Sequence, residues 1–341
     1  MPPSLPRPLV DPYQRTVRDL RISVTDRCNF RCSYCMPEEG LPWLPRQQLL
    51  SFEEIERVAR VCVERFGFDG IRITGGEPTV RADLPVLVEK LAALRPPGAP
   101  GGRGIDLSMT TNGASLGLLA AELRRAGLSR VNVSLDTLRP DRFRALSGRD
   151  ALHQVLDGID AALEAGLAPV KVNCVLMRGA NDDEIVDLAA FGRRKGVVVR
   201  FLEFMPLDAS GAWDARAVVT FEEIVATVHA AYPLEPVAGR GSQPAERFRY
   251  RDGEGEIGVV ASVTRNFCSS CDRVRLTADG HFRNCLFALA ETDLRALLGG
   301  GGTDDDLAAA IEADVATKWA GHSIGGVHFI RPSRSMSQIG G

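Results

Sequence analysis

The chain has 341 residues, of which 45% are hydrophobic and 25% charged, and its formal net charge at pH 7 is −3. This length suits one large folded unit with a smaller one beside it. The slightly negative charge excludes a general attraction to nucleic acid or anionic membranes, so functional cations have to be concentrated locally. No apolar run approaches the ~18 residues of a membrane span, and we expect no membrane association.

The first 19 residues are rich in proline and lack the apolar segment of a secretory signal, so they predict an extended N-terminal arm. Six of the eight cysteines fall into two groups of three. An odd number in each group suits metal binding better than disulfides, and it indicates a reducing, cytoplasmic compartment. Cys62 and Cys174 lie in apolar patterns and are interpreted as core residues.

The first cysteine group follows a short apolar strand, Leu20 to Val24, and has the spacing C-x3-C-x2-C at Cys28, Cys32 and Cys35. Thiolates spaced this closely are typical of zinc sites or iron–sulfur clusters. No histidine or fourth cysteine lies nearby in the sequence to complete a zinc tetrahedron. The spacing therefore favours a 4Fe–4S cluster with one iron open to a small molecule, with zinc as the alternative.

Strand and helix patterns then alternate through six units, ending with a helix from Phe221 to Ala231. The strands after the first are predicted at 70–74, 106–110, 130–135, 170–175 and 197–203. Such alternation predicts a parallel sheet with helices outside it, either open and doubly wound or barrel-like. Unusual polar residues follow all six strands, which favours a partial (βα)6 TIM-type barrel in the α/β class.

The chain changes character near Pro233. Hairpins are predicted over 250–263 and 274–287, the second turning at Asp279-Gly280, and a helix over 303–319. We therefore expect an arm (1–19), a barrel (20–232) and a C-terminal region (233–341) that covers the open side of the barrel.

The second cysteine group has the spacing C-x2-C-x13-C at Cys268, Cys271 and Cys285. The predicted hairpin would return Cys285 toward the first two cysteines. Zinc is a stronger alternative here than at the first group, because C-x2-C followed by a later cysteine is common in zinc ribbons. His281 is the only nearby candidate for a fourth ligand. The similarity to the first group favours a second 4Fe–4S cluster.

The motif from Cys28 to Cys35, with an aromatic residue at Tyr34, resembles that of the radical S-adenosylmethionine (SAM) superfamily. Further segments resemble the GTP 3′,8-cyclase family within it. They are RITGGEP from Arg72, TTNG from Thr110, VNVSLD from Val131, RFLEFMP from Arg200, FCSSCDRVRL from Phe267 and the terminal Gly340-Gly341. This family begins molybdenum cofactor biosynthesis. Asp136, at the end of VNVSLD, is interpreted as a turn residue.

The resemblance implies two 4Fe–4S clusters and SAM as cofactors. Cys28, Cys32 and Cys35 would hold the cluster that binds SAM, and Cys268, Cys271 and Cys285 the cluster that meets the guanine of GTP. Tyr34, Gly76, Ser134 and Met205 fall at SAM-contacting positions. Arg21, Arg72, Thr110, Lys171, Arg273, Val274 and Arg275 fall at GTP-contacting positions, and Arg200 matches a further basic one. Gly70 stands where the family often has lysine.

The basic residues of that set agree with a triphosphate ligand. The sequence has no P-loop and no G-x-G-x-x-G motif, so side-chain cations must supply the neutralising charge. Individual arginines more often pair with surface carboxylates. Six cations beside strand ends and cysteines are better explained by a shared anion.

The resemblance further implies a radical reaction in which cleaved SAM abstracts hydrogen from C3′ of GTP, after which C3′ bonds to C8. Its expected partners are GTP, a low-potential electron donor, a second copy of the chain in a homodimer, and the next pathway enzyme, cyclic pyranopterin monophosphate synthase. The alternatives are another radical SAM enzyme with an auxiliary cluster, or a non-catalytic metal-binding or electron-transfer protein.

Overall fold

The computed structural model describes residues 6–37, 39–208, 211, 213–324 and 329–340. In these ranges the strands are β1 (Leu9–Val10), β2 (Thr16–Val17), β3 (Asp19–Ser23), β4 (Gly70–Thr74), β5 (Asp106–Thr111), β6 (Arg130–Ser134), β7 (Lys171–Leu176), β8 (Val198–Glu203), β9 (Leu234–Val237), β10 (Glu246–Tyr250), β11 (Glu256–Val260), β12 (Arg273–Leu276), β13 (His281–Arg283) and β14 (Thr292–Asp293). The helices are α1 (Phe52–Arg60), α2 (Leu84–Ala92), α3 (Leu116–Arg125), α4 (Pro140–Ser147), α5 (Leu152–Glu164), α6 (Ile185–Lys195), α7 (Phe221–Ala231), α8 (Leu294–Gly299), α9 (Asp304–Val315) and α10 (Met336–Ile339).

Local sequence explains where several helices begin. A capping box, in which two residues three apart satisfy each other's backbone N–H groups, starts α1, α7 and α9, with the pairs Ser51/Glu54, Thr220/Glu223 and Thr303/Asp306. Each cap contributes about 1 kcal/mol by satisfying donors that the helix leaves free.

Strands β3 to β8 pair in chain order, and every pairing among them is parallel. This confirms the six predicted strand–helix units. The C-terminal region extends both edges of this sheet, because β12 pairs parallel to β3 and β11 pairs parallel to β8. Within the described residues, no pairing of the outermost strands β9 and β14 closes a ring. The predicted partial barrel is confirmed.

Successive side chains along each strand point to opposite faces of the sheet, and this separates an apolar outer face from a polar inner face. Leu20 and Ile22 of β3 have no exposed surface and join the main hydrophobic core, as do Ile71 and Ile73 of β4 to within 1%. Their neighbours, including Arg21, project to the opposite side because successive side chains of a strand alternate. Helix packing therefore buries the outer face, while the inner face collects the polar residues.

Some connections differ from the prediction. The N-terminal arm forms a small antiparallel hairpin of β1 and β2. The hairpin predicted over 250–263 is formed by β10 and β11. It begins at Glu246 and ends at Val260, so both of its ends lie earlier in the chain than predicted. Cys62 and Cys174 are fully buried, which confirms their interpretation as core residues. None of the described helices is both long and apolar enough to cross a membrane.

Candidate active site at the carboxyl ends of the parallel strands

A cavity, named the chamber, opens at the carboxyl ends of the parallel strands. Each of the eight parallel strands, or the residue after it, contributes to its wall, and examples are Arg21, Arg72, Thr110, Ser134, Asn173, Arg200, Val260 and Arg275. Cys28, Cys32 and Cys35 also line it. The position agrees with the rule that barrel-like sheets build their sites at this end.

The turn after β4 positions the first cysteine group. The N–H of Gly76 donates to the carbonyl of Thr25 at 2.7 Å, and the N–H of Glu77 donates to that of Arg27 at 2.8 Å. A Cβ on Gly76 would lie 2.4 Å from the Arg27 oxygen. Glycine is therefore required here by the backbone that leads into Cys28. Gly76 also lines the chamber, where its contact with SAM stays a prediction.

Glu77 connects this turn to the end of β5. Its buried carboxylate accepts hydrogen bonds from the hydroxyl of Thr111 at 2.7 Å and the N–H of Asn112 at 2.6 Å. The amide of Asn112 in turn donates to Asn29 Oδ1 at 2.7 Å and lies 3.9 Å from the Cys28 thiol. Glu77 and Asn112 lie within the family motifs RITGGEP and TTNG, but no local pattern assigns either of them this role.

Burial raises the pKa of the Cys28 thiol to about 11 and that of Cys35 to about 12, and it raises the pKa of Cys32 well above its usual value. Neighbouring thiols add to the effect at Cys32 and Cys35. Without a cation these thiols hold their protons, and binding a cationic iron–sulfur core would release them.

Neither thiol group has the geometry of a single-ion site, because no three His, Cys, Asp or Glu side chains converge on one metal-ion position among the described residues. The thiols of a 4Fe–4S cluster bind different irons and do not need to meet at one point. Three thiols, with backbone N–H donors beside them, are a donor set that fits such a cluster.

All four residues predicted to contact SAM, Tyr34, Gly76, Ser134 and Met205, line the chamber. The hydroxyl of Tyr34 donates to Asp136 Oδ2 at 2.6 Å, and the N–H of Val175 donates to Asp136 Oδ1 at 2.8 Å. Burial raises the pKa of Asp136 to about 6. The interpretation of Asp136 as a turn residue was wrong, because it is 8% exposed and borders the chamber.

The inner face carries a row of cations. Arg275, Arg21 and Arg72 are direct register partners on three adjacent strands. Burial and neighbouring arginines lower the pKa of Arg21 to about 9 and that of Arg72 to about 10, although Asp19 opposes the effect at both. Asp19 Oδ1 lies 3.7 Å from Arg21 Nε. The row therefore contains more positive than negative charge.

Three guanidinium groups of the inner face have an unsatisfied donor. The Nε atoms of Arg21, Arg72 and Arg273 are buried and have no hydrogen-bond partner among the described residues. Unpaired buried donors on charged groups are costly unless a ligand satisfies them. An anionic ligand in the chamber would remove this cost.

Two further cations lie on the neighbouring strands. Arg200 Nε donates to Asn173 Oδ1 at 2.9 Å. Lys171 lies two residues before Asn173 and is not part of the chamber wall. Burial, together with Arg200, Arg130 and Arg72, lowers the pKa of Lys171 to about 8. Arg130 Nε donates to Asp106 Oδ1 at 3.0 Å, a second nitrogen donates to Oδ2, and Arg130 is not part of the chamber wall.

Thr110 lines the chamber and accepts a hydrogen bond from Asn132 at 3.3 Å. Val274 has no exposed surface and belongs to the hydrophobic core, on the face of β12 opposite to Arg273 and Arg275. Its side chain therefore points away from the chamber.

The second cysteine group borders the same chamber through its neighbours Phe267, Arg273 and Leu286. The β12–β13 hairpin returns Cys285 toward Cys268, as predicted, and Cys285 adds to the rise that burial causes in the pKa of Cys268. Burial raises the pKa of Cys271, but Arg273 and Lys318 outweigh it and lower the value to about 7.

His281, the candidate fourth ligand, is occupied elsewhere. Its ring nitrogen Nδ1 lies 3.3 Å from Asp279 and 3.3 Å from Arg334. His281 therefore does not supply a fourth ligand to the second group.

The C-terminal tail reaches the chamber. Met336 and Ser337 line it, and the carbonyl of Gly340 accepts a hydrogen bond from Arg275. A Cβ on Gly340 would lie 2.9 Å from Thr74 Cγ2, so the tail fits closely between strand ends. Gly341 lies outside the described residues.

Two family descriptions match the chain. Residues 22–192 match the radical SAM superfamily, and residues 197–324 match Molybdenum Cofactor Synthesis C. The first match covers half of the chain. The second covers most of the C-terminal region, including the second cysteine group.

Curated relatives match over almost the whole length. The chain is 49% identical to GTP 3′,8-cyclase of Streptomyces coelicolor, covering 98% of this chain and 96% of the relative. It is 46% identical to GTP 3′,8-cyclase of Corynebacterium glutamicum, covering 98% and 90%.

Solved structures resemble the fold. Streptococcus suis SuiB, in the structure with bound S-adenosylmethionine, has a TM-score of 0.56 and 14% identity, covering 88% of this chain and 69% of that one. This likeness concerns the fold alone. The curated relatives and the superfamily match lead to one conclusion: the chain belongs to the GTP 3′,8-cyclase family of the radical SAM superfamily.

Proposed function

We propose that the protein converts GTP to (8S)-3′,8-cyclo-7,8-dihydroguanosine 5′-triphosphate, the first step of molybdenum cofactor biosynthesis. The observation that supports this best is one chamber that contains the first thiol group, is bordered by the neighbours of the second, and is lined by arginines whose buried donors are unsatisfied among the described residues. A radical SAM cofactor, a purine nucleotide and its triphosphate each have a chemically suitable wall there.

Cys28, Cys32 and Cys35 would hold the cluster that binds SAM. When bound and reduced, that cofactor supplies the radical that removes hydrogen from the ribose of GTP. The protein holds the reacting groups in place and excludes water, which is its usual contribution to cofactor chemistry. Glu77 and the Gly76 turn hold the cysteine loop at the chamber wall through their hydrogen bonds to Thr111, Asn112 and the backbone before Cys28.

Tyr34, Gly76, Ser134 and Met205 would contact SAM, and Asp136 would orient Tyr34 through their 2.6 Å hydrogen bond. The triphosphate would be bound by Arg21, Arg72, Arg273 and Arg275. A guanidinium group suits this role because it can donate two parallel hydrogen bonds to one phosphate group. Thr110, Lys171 and Arg200 would complete this site.

Gly70 is consistent with that arrangement. A side chain there would start 3.3 Å from the Asp19 carboxylate. The lysine common in the family would therefore meet an anion that Arg21 already approaches. Apart from this lysine, the cations that the family resemblance implies for the inner face, such as Arg21 and Arg72, are present in this chain.

Cys268, Cys271 and Cys285 would hold a second 4Fe–4S cluster that meets the guanine. We assign residues 20–232 to the catalytic barrel and residues 233–341 to the region that carries this cluster. The reaction needs a low-potential electron donor, and a reducing cytoplasm would keep all six thiols available. Cyclic pyranopterin monophosphate synthase would consume the product.

The test is anaerobic reconstitution with iron and sulfide, followed by incubation with GTP, SAM and dithionite. We expect about eight irons per chain, as two four-iron clusters require. We also expect 5′-deoxyadenosine and a cyclised nucleotide in equal amounts. The Cys28→Ala variant should form neither product, and replacing GTP by ATP should abolish the cyclised nucleotide.

Other outcomes would identify the alternatives. SAM cleavage with no change in GTP would indicate another radical SAM enzyme. No SAM cleavage by protein that carries its full iron content would indicate a non-catalytic metal-binding protein. Zinc in place of iron at the second group would remove the proposed second cluster.

A further inference from the structure

Two cations lie buried behind the second cysteine group, outside the row that faces the chamber. Lys318 is 4% exposed and Arg15 is 8% exposed. Both come from segments outside the cysteine motif, since Arg15 belongs to the N-terminal arm and Lys318 follows α9. A buried charge is costly unless it is paired, so each of them needs a partner.

Arg15 has its own carboxylate. Its Nε donates to Asp11 Oδ2 at 2.5 Å, and the side chain of Asp11 is fully buried. The other nitrogens donate to the carbonyls of Cys268 at 2.6 Å and Ala320 at 2.8 Å, and to that of Trp319. The Asp11–Arg15 pair therefore ties three backbone segments together without adding net charge.

Lys318 is bound differently. Its ammonium donates to the carbonyl of Arg273 at 2.8 Å and to that of Asn284. These carbonyls belong to the residue two after Cys271 and the residue just before Cys285. Lys318 therefore holds the two cysteine segments that Arg15 does not reach.

The main counter-charges of Lys318 are the thiols Cys271 and Cys285. In the described part of the chain it makes no hydrogen bond to a carboxylate, and the groups that favour its charged form are Cys271 and Cys285. Asp314 also interacts electrostatically with Lys318, although its carboxylate makes its hydrogen bond with Thr292, at 2.8 Å, and none with Lys318. Lys318 is thus an ammonium group whose strongest available anions are the ligands of the second site.

We propose that Lys318 is a positioning residue that also balances the negative charge of the group held by the second cysteines, while the Asp11–Arg15 pair is an uncharged brace. This inference rests on the proposed function, in which those cysteines hold a 4Fe–4S cluster. Three thiolates outweigh the positive charge of an oxidised four-iron core, and reduction adds one more negative charge. A nearby buried cation therefore stabilises the reduced form and raises the reduction potential.

The test isolates the second cluster in full-length protein in which Cys28, Cys32 and Cys35 are replaced by serine. Iron content and the midpoint potential, followed by electron paramagnetic resonance, are measured for this parent and its variants. Lys318→Met and Lys318→Gln should make reduction at least tenfold less favourable, which is about 59 mV for one electron. Lys318→Arg should stay close to the parent.

The matched control is the double variant Arg15→Met/Asp11→Asn, which removes the brace without changing net charge. We expect it to lower thermal stability and cluster occupancy and to leave the midpoint potential of the remaining cluster unchanged. If it shifts the potential as far as Lys318→Met does, charge at Lys318 is not the cause and the inference fails.

Further outcomes separate this inference from the proposed function. If the parent binds no iron, the second cluster itself is refuted. If the parent binds iron and Lys318→Gln has the parent's potential, only the role of Lys318 is refuted. Loss of the cluster in Lys318→Gln but not in Lys318→Arg supports the proposal, and equal loss in both refutes it because packing alone would then be responsible.

Discussion

Raising the pH should weaken GTP binding through Lys171. In the protein without ligand, burial and the neighbouring arginines lower the pKa of this lysine to about 8. A triphosphate close to it would raise that value, because a nearby anion favours the ammonium form. Binding therefore takes up a proton once the pH exceeds about 8. Affinity should be greatest below that pH and should fall above it.

The magnitude follows from the fraction of protonated lysine. At a pH one unit above the pKa, about a tenth of Lys171 carries its proton, so affinity should fall about tenfold, or about 1.4 kcal/mol. Lys171→Arg should bind well at both pH values because guanidinium holds its proton far more strongly. Lys171→Met should bind weakly at all of them.

Calorimetry of GTP binding between pH of about 7 and about 9 measures the effect, on the reconstituted protein without reductant so that no turnover occurs. The informative quantity is the ratio of the affinity of the natural protein to that of Lys171→Arg. This ratio cancels the titration of GTP and of the arginines that both proteins share. A ratio that stays constant across the range would show that Lys171 does not sense the ligand, and the proposed triphosphate site would have to exclude it.

Three further substitutions test the chamber. Arg21→Met should raise the Kd for GTP about tenfold or more, because a charged hydrogen bond to the ligand is lost. The control Arg18→Met, at an exposed ion pair, should leave the Kd unchanged. Equal effects of the two substitutions would contradict the proposed GTP site. Glu77→Ala should lower the free energy of unfolding in urea by about 3 kcal/mol, since its buried donors lose their acceptor, and a loss under about 1 kcal/mol would argue against that role. Gly76→Ala should halve the iron content by displacing the first cysteine loop, while Gly117→Ala, with open space around it, should retain all the iron. Full iron content in Gly76→Ala would show that the loop tolerates the clash.

Much of the barrel could be predicted because local sequence patterns indicate its strands and helices. The strand expected at 70–74 coincides with β4, and the helix expected from Phe221 to Ala231 coincides with α7. In both cases apolar periodicity and a clear start signal agree, which is the condition for a reliable prediction.

Elements with weak local signals were missed. Helix α4 has only eight residues and begins after an extended arginine with no side-chain cap, so nothing but Pro140 at its first turn indicated it. Strand β9 at the sheet edge has four residues, and two of them are exposed. Such short elements form because a neighbour is already in place, and their own sequences do not show it.

The residues of the site also divide into those with a signal in the sequence and those without one. Cysteine spacing indicated Cys28, and the family resemblance indicated Arg72 and Ser134, which line the same chamber. Asp136 was missed because an aspartate after a strand is usually a turn residue, and only the approach of Tyr34 across the chamber gives it another role.

Sequence alone determined the chemistry available to this protein: six thiols in two groups, a surplus of cations at strand ends, and alternating strands and helices that bring those ends to one edge. Tertiary structure decided which of these groups meet. The C-terminal strands join both edges of the barrel sheet, and this places the second cysteine group beside the chamber of the first. It also buries Lys318 against backbone carbonyls more than 30 residues away in the chain, a contact that no local pattern encodes because its two halves are joined only by the fold.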